Sequence, residues 1–340
     1  MRNFTYAAAT GIEDAFAADG ADIMLIAGGT ELLNWFRLGI ASPGHAIDIG
    51  RLEGLNGIAL HGDRLSIGAL ATLNEIGEHP LVKDRASALG EACLKAASAQ
   101  IRNRATIGGN VLQKTRCAYF RSEAPLPWGC NKRVPGSGCA ARDGLNERHA
   151  IFGWADSCVA VHPSDPLVAL TALDAEVEIA GKNGRRVVPV TSFHLTQEEA
   201  ATGVENPAET MLPETRLEPG EIILGYHLQV VPGQRSAYVK VRERASYEYA
   251  LVSAAVSVTL EDGRIVRARV ALGSVAQKPW RLSAVEARLV GVVPERDIVL
   301  PILREAMIEA RPLRHNGYKI TMAAGAAARA IVNAAMGDVA

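Results

Sequence analysis

Apolar residues fall along the chain in short runs cut by glycine, aspartate and proline. Residues 22–27, DIMLIA, read as a buried strand that ends at Gly28-Gly29-Thr30, and the amphipathic run 31–40 behind it predicts a helix. Runs 45–49 and 64–67 predict two more short strands. Thr72 and Glu75 have the spacing of a capping box, and residues 81–97 place Leu81, Leu89, Cys93 and Ala96 at helical spacing, which puts Cys93 on a buried face. Residues 105–112 return to a strand-and-glycine pattern around Gly108-Gly109.

From 114 to 159 the periodicity disappears. A structureless stretch of that length inside a compact domain needs something to organise it, and it carries four of the five cysteines. A helix follows Pro166. Strands at 175–179 and 186–190 flank the turn Lys182-Asn183-Gly184, and 196–219, rich in Glu, Pro and Thr, reads as loop. After Pro232-Gly233-Gln234, runs 237–242, 251–261 and 264–273 alternate as a half-buried antiparallel meander closed by Asp262-Gly263. Helical patterns at 283–290, 297–310 and 320–336 complete a sheet covered by helices.

At 340 residues the chain exceeds what one core usually serves, so two domains are expected, 1–232 and 233–340, in an α+β architecture. Lys and Arg number 36 against 37 Asp and Glu, a formal charge of −1. That balance provides no global field for nucleic acid or anionic lipid, so partners must be recognised by local surfaces. No signal peptide is expected from the opening residues, and no run of eighteen apolar residues suggests a membrane span. An odd cysteine count without a secretion signal favours metal ligation or free thiols over disulfides.

The turn Gly28-Gly29-Thr30-Glu31 joins strand to helix, so its backbone amides can converge on a phosphate; taken alone, an ordinary turn with a threonine cap is the simpler explanation. Thr106-Ile107-Gly108-Gly109-Asn110 offers a second nest of that kind. Gly136-Ser137-Gly138-Cys139-Ala140-Ala141 fits a dinucleotide fingerprint formally, but neither a strand precedes it nor a helix follows it, and it is rejected. Cys117, Cys130, Cys139 and Cys158 suit a 4Fe-4S cluster or a zinc site, and the absence of a closely spaced pair weighs against zinc. In His162-Pro163-Ser164-Asp165-Pro166, a capped helix start accounts for Ser164 and Asp165, while the alternative has Asp165 accepting from a ligand hydroxyl. Lys240, Arg242 and Arg244 read as a solvated face. No hydrolytic or zinc-protease grouping is present.

Taken in order, LIAGGTELL (25–33), TIGGNV (106–111), HPSDPLVAL (162–170) and YVKVRERASYEYALVSAAVSV (238–258) resemble the FAD-binding, or medium, subunit of the xanthine dehydrogenase/molybdenum hydroxylase family, over nearly the whole chain. The resemblance implies a two-subdomain FAD-binding domain of the PCMH/vanillyl-alcohol-oxidase type and a C-terminal domain with a three-stranded antiparallel sheet. It implies FAD contacts at Ile26, Ala27, Gly28, Gly29, Thr30, Glu31, Leu32, Thr106, Gly108, Gly109, Asn110, Ser164, Asp165 and Lys240. The segment around Asn316-Gly317-Tyr318-Lys319 resembles the family's closing helix. The insertion at 114–160, with CNKR, PGSGCAA and the cysteine before HPSD, is most similar to the flavin subunit of bacterial periplasmic aldehyde oxidoreductases, whose four cysteines hold a 4Fe-4S cluster.

That likeness implies a heterotrimer in which an aldehyde is oxidised at molybdopterin in a large subunit. Electrons would cross 2Fe-2S clusters in a small subunit to FAD here and leave to an external acceptor, with no substrate-oxidising residue in this chain. Two alternatives stay open. One is a 4-hydroxybenzoyl-CoA reductase-type subunit with inward electron flow, and the other a stand-alone flavin oxidase with its own pocket and base. The likeness implies a periplasmic location by co-export with a twin-arginine partner, or a cytoplasmic one.

Overall fold

The computed structural model describes residues 1–16 and 22–337. Its N-terminal part, β1 (Thr5–Ala8), α1 (Ile12–Phe16), β2 (Ile23–Ile26), α2 (Leu32–Leu38) and β3 (His45–Asp48), is a parallel three-stranded sheet in the order β1-β3-β2. Parallel strands need crossovers, and α2 provides the one between β2 and β3. It ends at Gly39 with φ 66°, the left-handed conformation that stops a helix, and buries Trp35 and Phe36.

A hairpin of β4 (Ile58–His61) and β5 (Arg64–Gly68) leads into five short helices, α3 (Leu73–Glu78), α4 (Pro80–Arg85), α5 (Ser87–Lys95), α6 (Ala99–Arg102) and α7 (Ile107–Val111). The capping box of Thr72 and Glu75 opens α3 as expected. The single helix expected over 81–97 is two, because the chain leaves helical geometry at Ala86 (φ −148°, ψ 47°). Cys93 is nevertheless fully buried on α5. Residues 105–112 are not a strand. Thr106 accepts from Gly109 N at 3.3 Å and starts α7, a cap that the glycine pair disguised.

The aperiodic stretch contains one helical turn, α8 (Ala140–Asp143), before α9 (Asp165–Ala172). The hairpin β6 (Glu176–Gly181) and β7 (Gly184–Pro189), α10 (Val190–Phe193), α11 (Gln197–Ala201) and β8 (Ile222–Gln229) follow. With β4 and β5 they make an antiparallel five-stranded sheet ordered β4-β5-β8-β6-β7. Its central strand, β8, went unread because seven of its eight residues are buried or nearly so, and no alternation marks it. The expected loop 196–219 contains α11, opened by a capping box of Thr196 and Glu199.

The C-terminal sheet runs β9 (Gln234–Val241), β10 (Val252–Glu261), β11 (Arg264–Gly273) and a two-residue β12 (Trp280–Arg281), antiparallel in the order β12-β11-β10-β9, so a short fourth strand extends the expected meander. Asp262 (φ 50°) and Gly263 (φ 75°) make the hairpin turn, both left-handed as a two-residue connection requires. Helices α12 (Ser283–Glu286), α13 (Arg296–Ala306) and α14 (Tyr318–Met336) cover one face. Only the outer half of β11, where exposed Arg264 and Val266 alternate with buried Ile265, is half-buried as expected, and the centre of the sheet is covered on both faces. Ala237, Val239, Ala254 and Val256 pack under α14, while the alternate residues Tyr238, Ala255 and Ala271 join the core of the first domain. Ile151 and Phe152, from the cysteine-bearing stretch, enter the α14 core as well.

Candidate functional site

A cleft of ≈ 760 Å³ opens beside the parallel sheet, within the size range of cofactor sites. Both glycine turns line it. Gly28 runs so close to the approach of the second turn that a β-carbon there would lie 1.9 Å from the Arg104 carbonyl oxygen, so only a residue without a side chain lets the two turns meet. Gly29 has φ +72°. The helix behind the first turn begins at Glu31 with no side-chain cap, so the threonine-cap explanation does not hold there, and Thr30 is left facing the cleft. At the second turn the threonine does cap, and Gly108, Gly109 and Asn110 form the wall.

Ala27, Gly28, Gly29, Thr30, Glu31, Leu32, Thr106, Gly108, Gly109, Asn110 and Asp165 all line this cleft. Ile26, Ser164 and Lys240 do not reach its surface and act from behind. Ser164 caps α9, accepting from Leu167 N at 3.2 Å, and donates to Asn110 Oδ1 at 2.7 Å, which fixes the second turn against α9. Lys240 Nζ donates to Asp165 Oδ2 at 2.8 Å and to the Lys95 carbonyl at 3.0 Å. The Tyr238 hydroxyl donates to the other Asp165 oxygen. With side-chain exposures of 2% and 7%, Lys240 and Asp165 form a buried ion pair, not the solvated face expected of Lys240.

Glu31 lines the cleft but spends its carboxylate elsewhere. It accepts from Trp35 Nε1 and Arg116 Nη2, each at 2.7 Å, and from Arg121. Burial raises its pKa, and the two guanidiniums outweigh that and hold it below the usual carboxylate range. Glu31 thus ties the first turn to the cysteine-bearing stretch. Sequence reasoning missed Arg116, Tyr247 and Tyr249 on the cleft wall. It also missed Tyr238, which the two-residue period of a strand places on the same face as Lys240.

Behind α7, His162 and His194 each donate Nε2–H to the Val111 carbonyl, at 3.1 and 3.0 Å, with their rings edge-on at 4.5 Å. Burial pushes the His162 pKa down to about 4 and that of His194 well below its ordinary value. Both are therefore neutral in the folded state and proton-binding when unfolded. Stability should be intact above about pH 6.5 and fall as pH drops toward 4, by on the order of 3 kcal/mol from His162. Melting curves between pH 7 and 4.5 check this, and His162→Gln should flatten the profile; a wild-type profile already flat would contradict it.

Cys117, Cys130, Cys139 and Cys158 line one small cavity. None of the five cysteines is in a disulfide. Burial raises the Cys117 thiol to about 12 and Cys158 to about 11. Among the described residues no three or more Cys, His, Asp or Glu side chains are gathered to hold a single metal ion. The formal fingerprint at 136–141 is a turn at 136–139, where Gly136 (φ 81°) and Gly138 (φ 93°) fold Cys139 back to pair with Cys130, and it runs into the single helical turn α8, a helix that the sequence did not lead one to expect behind it. His149 Nε2 lies 3.1 Å from Cys117 Sγ, a contact the sequence did not suggest.

Residues 2–228 match the family described as "FAD binding domain in molybdopterin dehydrogenase", and residues 237–334 the "CO dehydrogenase flavoprotein C-terminal domain". The chain is 42% identical over 293 residues to the aldehyde oxidoreductase FAD-binding subunit PaoB of Escherichia coli K12, covering 85% of this chain and 86% of that one. It is 27% identical over 321 residues to the carbon monoxide dehydrogenase medium chain of Hydrogenophaga pseudoflava, covering 93% and 90%. The solved structure of carbon monoxide dehydrogenase from that organism, in a form lacking the Mo-pyranopterin moiety, superposes with a TM-score of 0.73 at 27% identity over 98% of both chains.

Proposed function

Because the chain belongs to the family of FAD-binding medium subunits of molybdenum hydroxylases, we propose that it is the electron-transfer subunit of a heterotrimeric aldehyde oxidoreductase, with residues 1–232 holding FAD, 114–160 an iron–sulfur cluster and 233–340 the wall behind the flavin. The observation that carries the flavin reading is the cleft in which two glycine turns meet backbone to backbone. The likeness to an aldehyde oxidoreductase subunit at 42% identity supports the substrate class.

Bound FAD would supply the exchange between paired and single electrons that a relay among metal centres needs. This chain's part is to seat and polarise it. Backbone amides at 27–30 and 108–110 would hold the diphosphate, and no side chain at Gly28 obstructs them. Asp165, oriented by its hydrogen bonds from Lys240 and Tyr238, would accept from a hydroxyl or ring N–H of the cofactor. The four cysteines fit a 4Fe-4S cluster as a donor set. Four cysteines around one small cavity, with no carboxylate or imidazole in its lining, match the all-cysteine ligand set of such a cluster.

The partners would be a molybdopterin-binding large subunit and a 2Fe-2S small subunit. No helix among the described residues is long and apolar enough to cross a membrane. Anaerobic purification of the complex, with flavin, iron and acid-labile sulfide counted per subunit, tests the reading. One flavin and about four irons on this subunit are expected. A correctly folded, colourless subunit that takes up neither on reconstitution would end it. Replacing Cys130 by serine should remove the iron signal of this subunit and leave those of the 2Fe-2S subunit in place.

A further inference from the structure

We propose that His149 donates its Nε2–H to the sulfur of Cys117 and so raises the reduction potential of the cluster, an inference that rests on reading the four thiols as 4Fe-4S ligands. The ring is 3.1 Å from the sulfur through Nε2. Its other nitrogen, Nδ1, is buried and has no hydrogen-bond partner. The residue as a whole is 7% exposed, so the ring sits almost entirely out of water.

The ring's place is fixed from behind. The His149 backbone N donates to the Asn146 carbonyl at 3.1 Å. Its carbonyl accepts from Lys319 Nζ at 2.8 Å and from Asn316 Nδ2 at 3.2 Å. Lys319 and Asn316 are themselves fully buried, and the lysine's second bond goes to the Ser274 carbonyl at 2.6 Å. Two residues of the closing segment thus hold the backbone whose side chain meets Cys117.

A free thiol at Cys117 can donate to an imidazole nitrogen. A sulfur bound to iron has no proton and can only accept, so the contact then requires the proton on Nε2. That tautomer leaves Nδ1 as a bare lone pair, which suits its lack of any acceptor nearby. Hydrogen bonds to cluster sulfurs stabilise the more negative, reduced state and raise the potential. Among the described residues, Cys117 is the one of the four thiols with an imidazole against its sulfur.

The test is an EPR-monitored redox titration of the complete complex carrying wild-type, His149→Leu or His149→Gln subunit, with iron and flavin counted in each. His149→Leu should keep its iron and flavin while its cluster becomes about tenfold harder to reduce, a fall of about 59 mV for one electron. His149→Gln, which retains an N–H donor, should stay nearer the wild type. A leucine variant with full iron and an unchanged potential overturns the proposal. Should that variant lose its iron, pulsed EPR on wild-type complex with 15N-labelled histidine decides: a weak coupling to one imidazole nitrogen supports the hydrogen bond, and no coupling overturns it. Wild-type subunit that carries flavin but no iron would instead sink the cluster reading, and this inference with it.

Discussion

Gly28→Ala should yield a protein nearly stripped of flavin. The added β-carbon would fall 1.9 Å from the Arg104 carbonyl oxygen and 2.8 Å from its carbon, and neither atom belongs to a side chain that can swing away. One turn must therefore move off the other. Overpacking of this kind costs about 1–3 kcal/mol, and because both displaced turns line the cleft proposed to seat the diphosphate, the cost should fall on binding: FAD affinity should drop roughly 10- to 100-fold. Flavin per chain after purification and an equilibrium titration of apoprotein with FAD measure it. Gly325→Ala, on α14 with nothing within 4 Å of the added carbon, is the matched control and should retain full flavin. Wild-type affinity in the Gly28 variant would remove the glycine turns from the site.

Lys240→Met should cost stability as well as flavin. The ammonium is the charged partner of Asp165, both are almost completely buried, and they join β9 of the second domain to the start of α9 in the first. Removing one member of such a pair leaves the other charge buried and unpaired, which typically destabilises by about 3–5 kcal/mol. The Tyr238 hydroxyl remains on Asp165 but brings no charge. Exchanging Asp165 for Leu in the same protein removes the stranded carboxylate, so the double variant should regain part of the loss, a non-additivity expected of groups in contact. Urea unfolding of the three variants reads the effect. A Lys240→Met protein within about 1 kcal/mol of wild type would mean that the pair is not the clamp described here.

What was legible in the sequence is what local chemistry writes locally. A glycine pair after a strand, a threonine three residues before a glutamate, Asp-Gly between alternating runs and a quartet of cysteines in an aperiodic stretch each declare themselves within a few residues. Contacts between distant segments do not. Asp165 and Tyr238 are 73 positions apart, His149 and Cys117 are 32, and Glu31 meets Arg121 across 90. Burial also hides pattern. The almost wholly buried β8 shows no alternation, and β10 of the C-terminal sheet, which looked half-buried because Ser253 and Ser257 alternate with its valines, buries those serines as well. Lys240 was misread for the same reason: a lysine's ordinary place is in water, and the carboxylate that draws it inside lies on another domain.

The backbone amides of Ile151 and Phe152 both donate to the Val275 carbonyl, and Arg311 N returns a bond to the Ile151 carbonyl at 2.8 Å. Phe152 stacks on Trp280 at 5.2 Å, with the rings 10° from parallel. Because its far end is sewn into the second domain's core in this way, the cysteine-bearing stretch is no detachable cassette. Transplanting it alone into a cysteine-free relative would strand two large apolar residues and several amides without their mates.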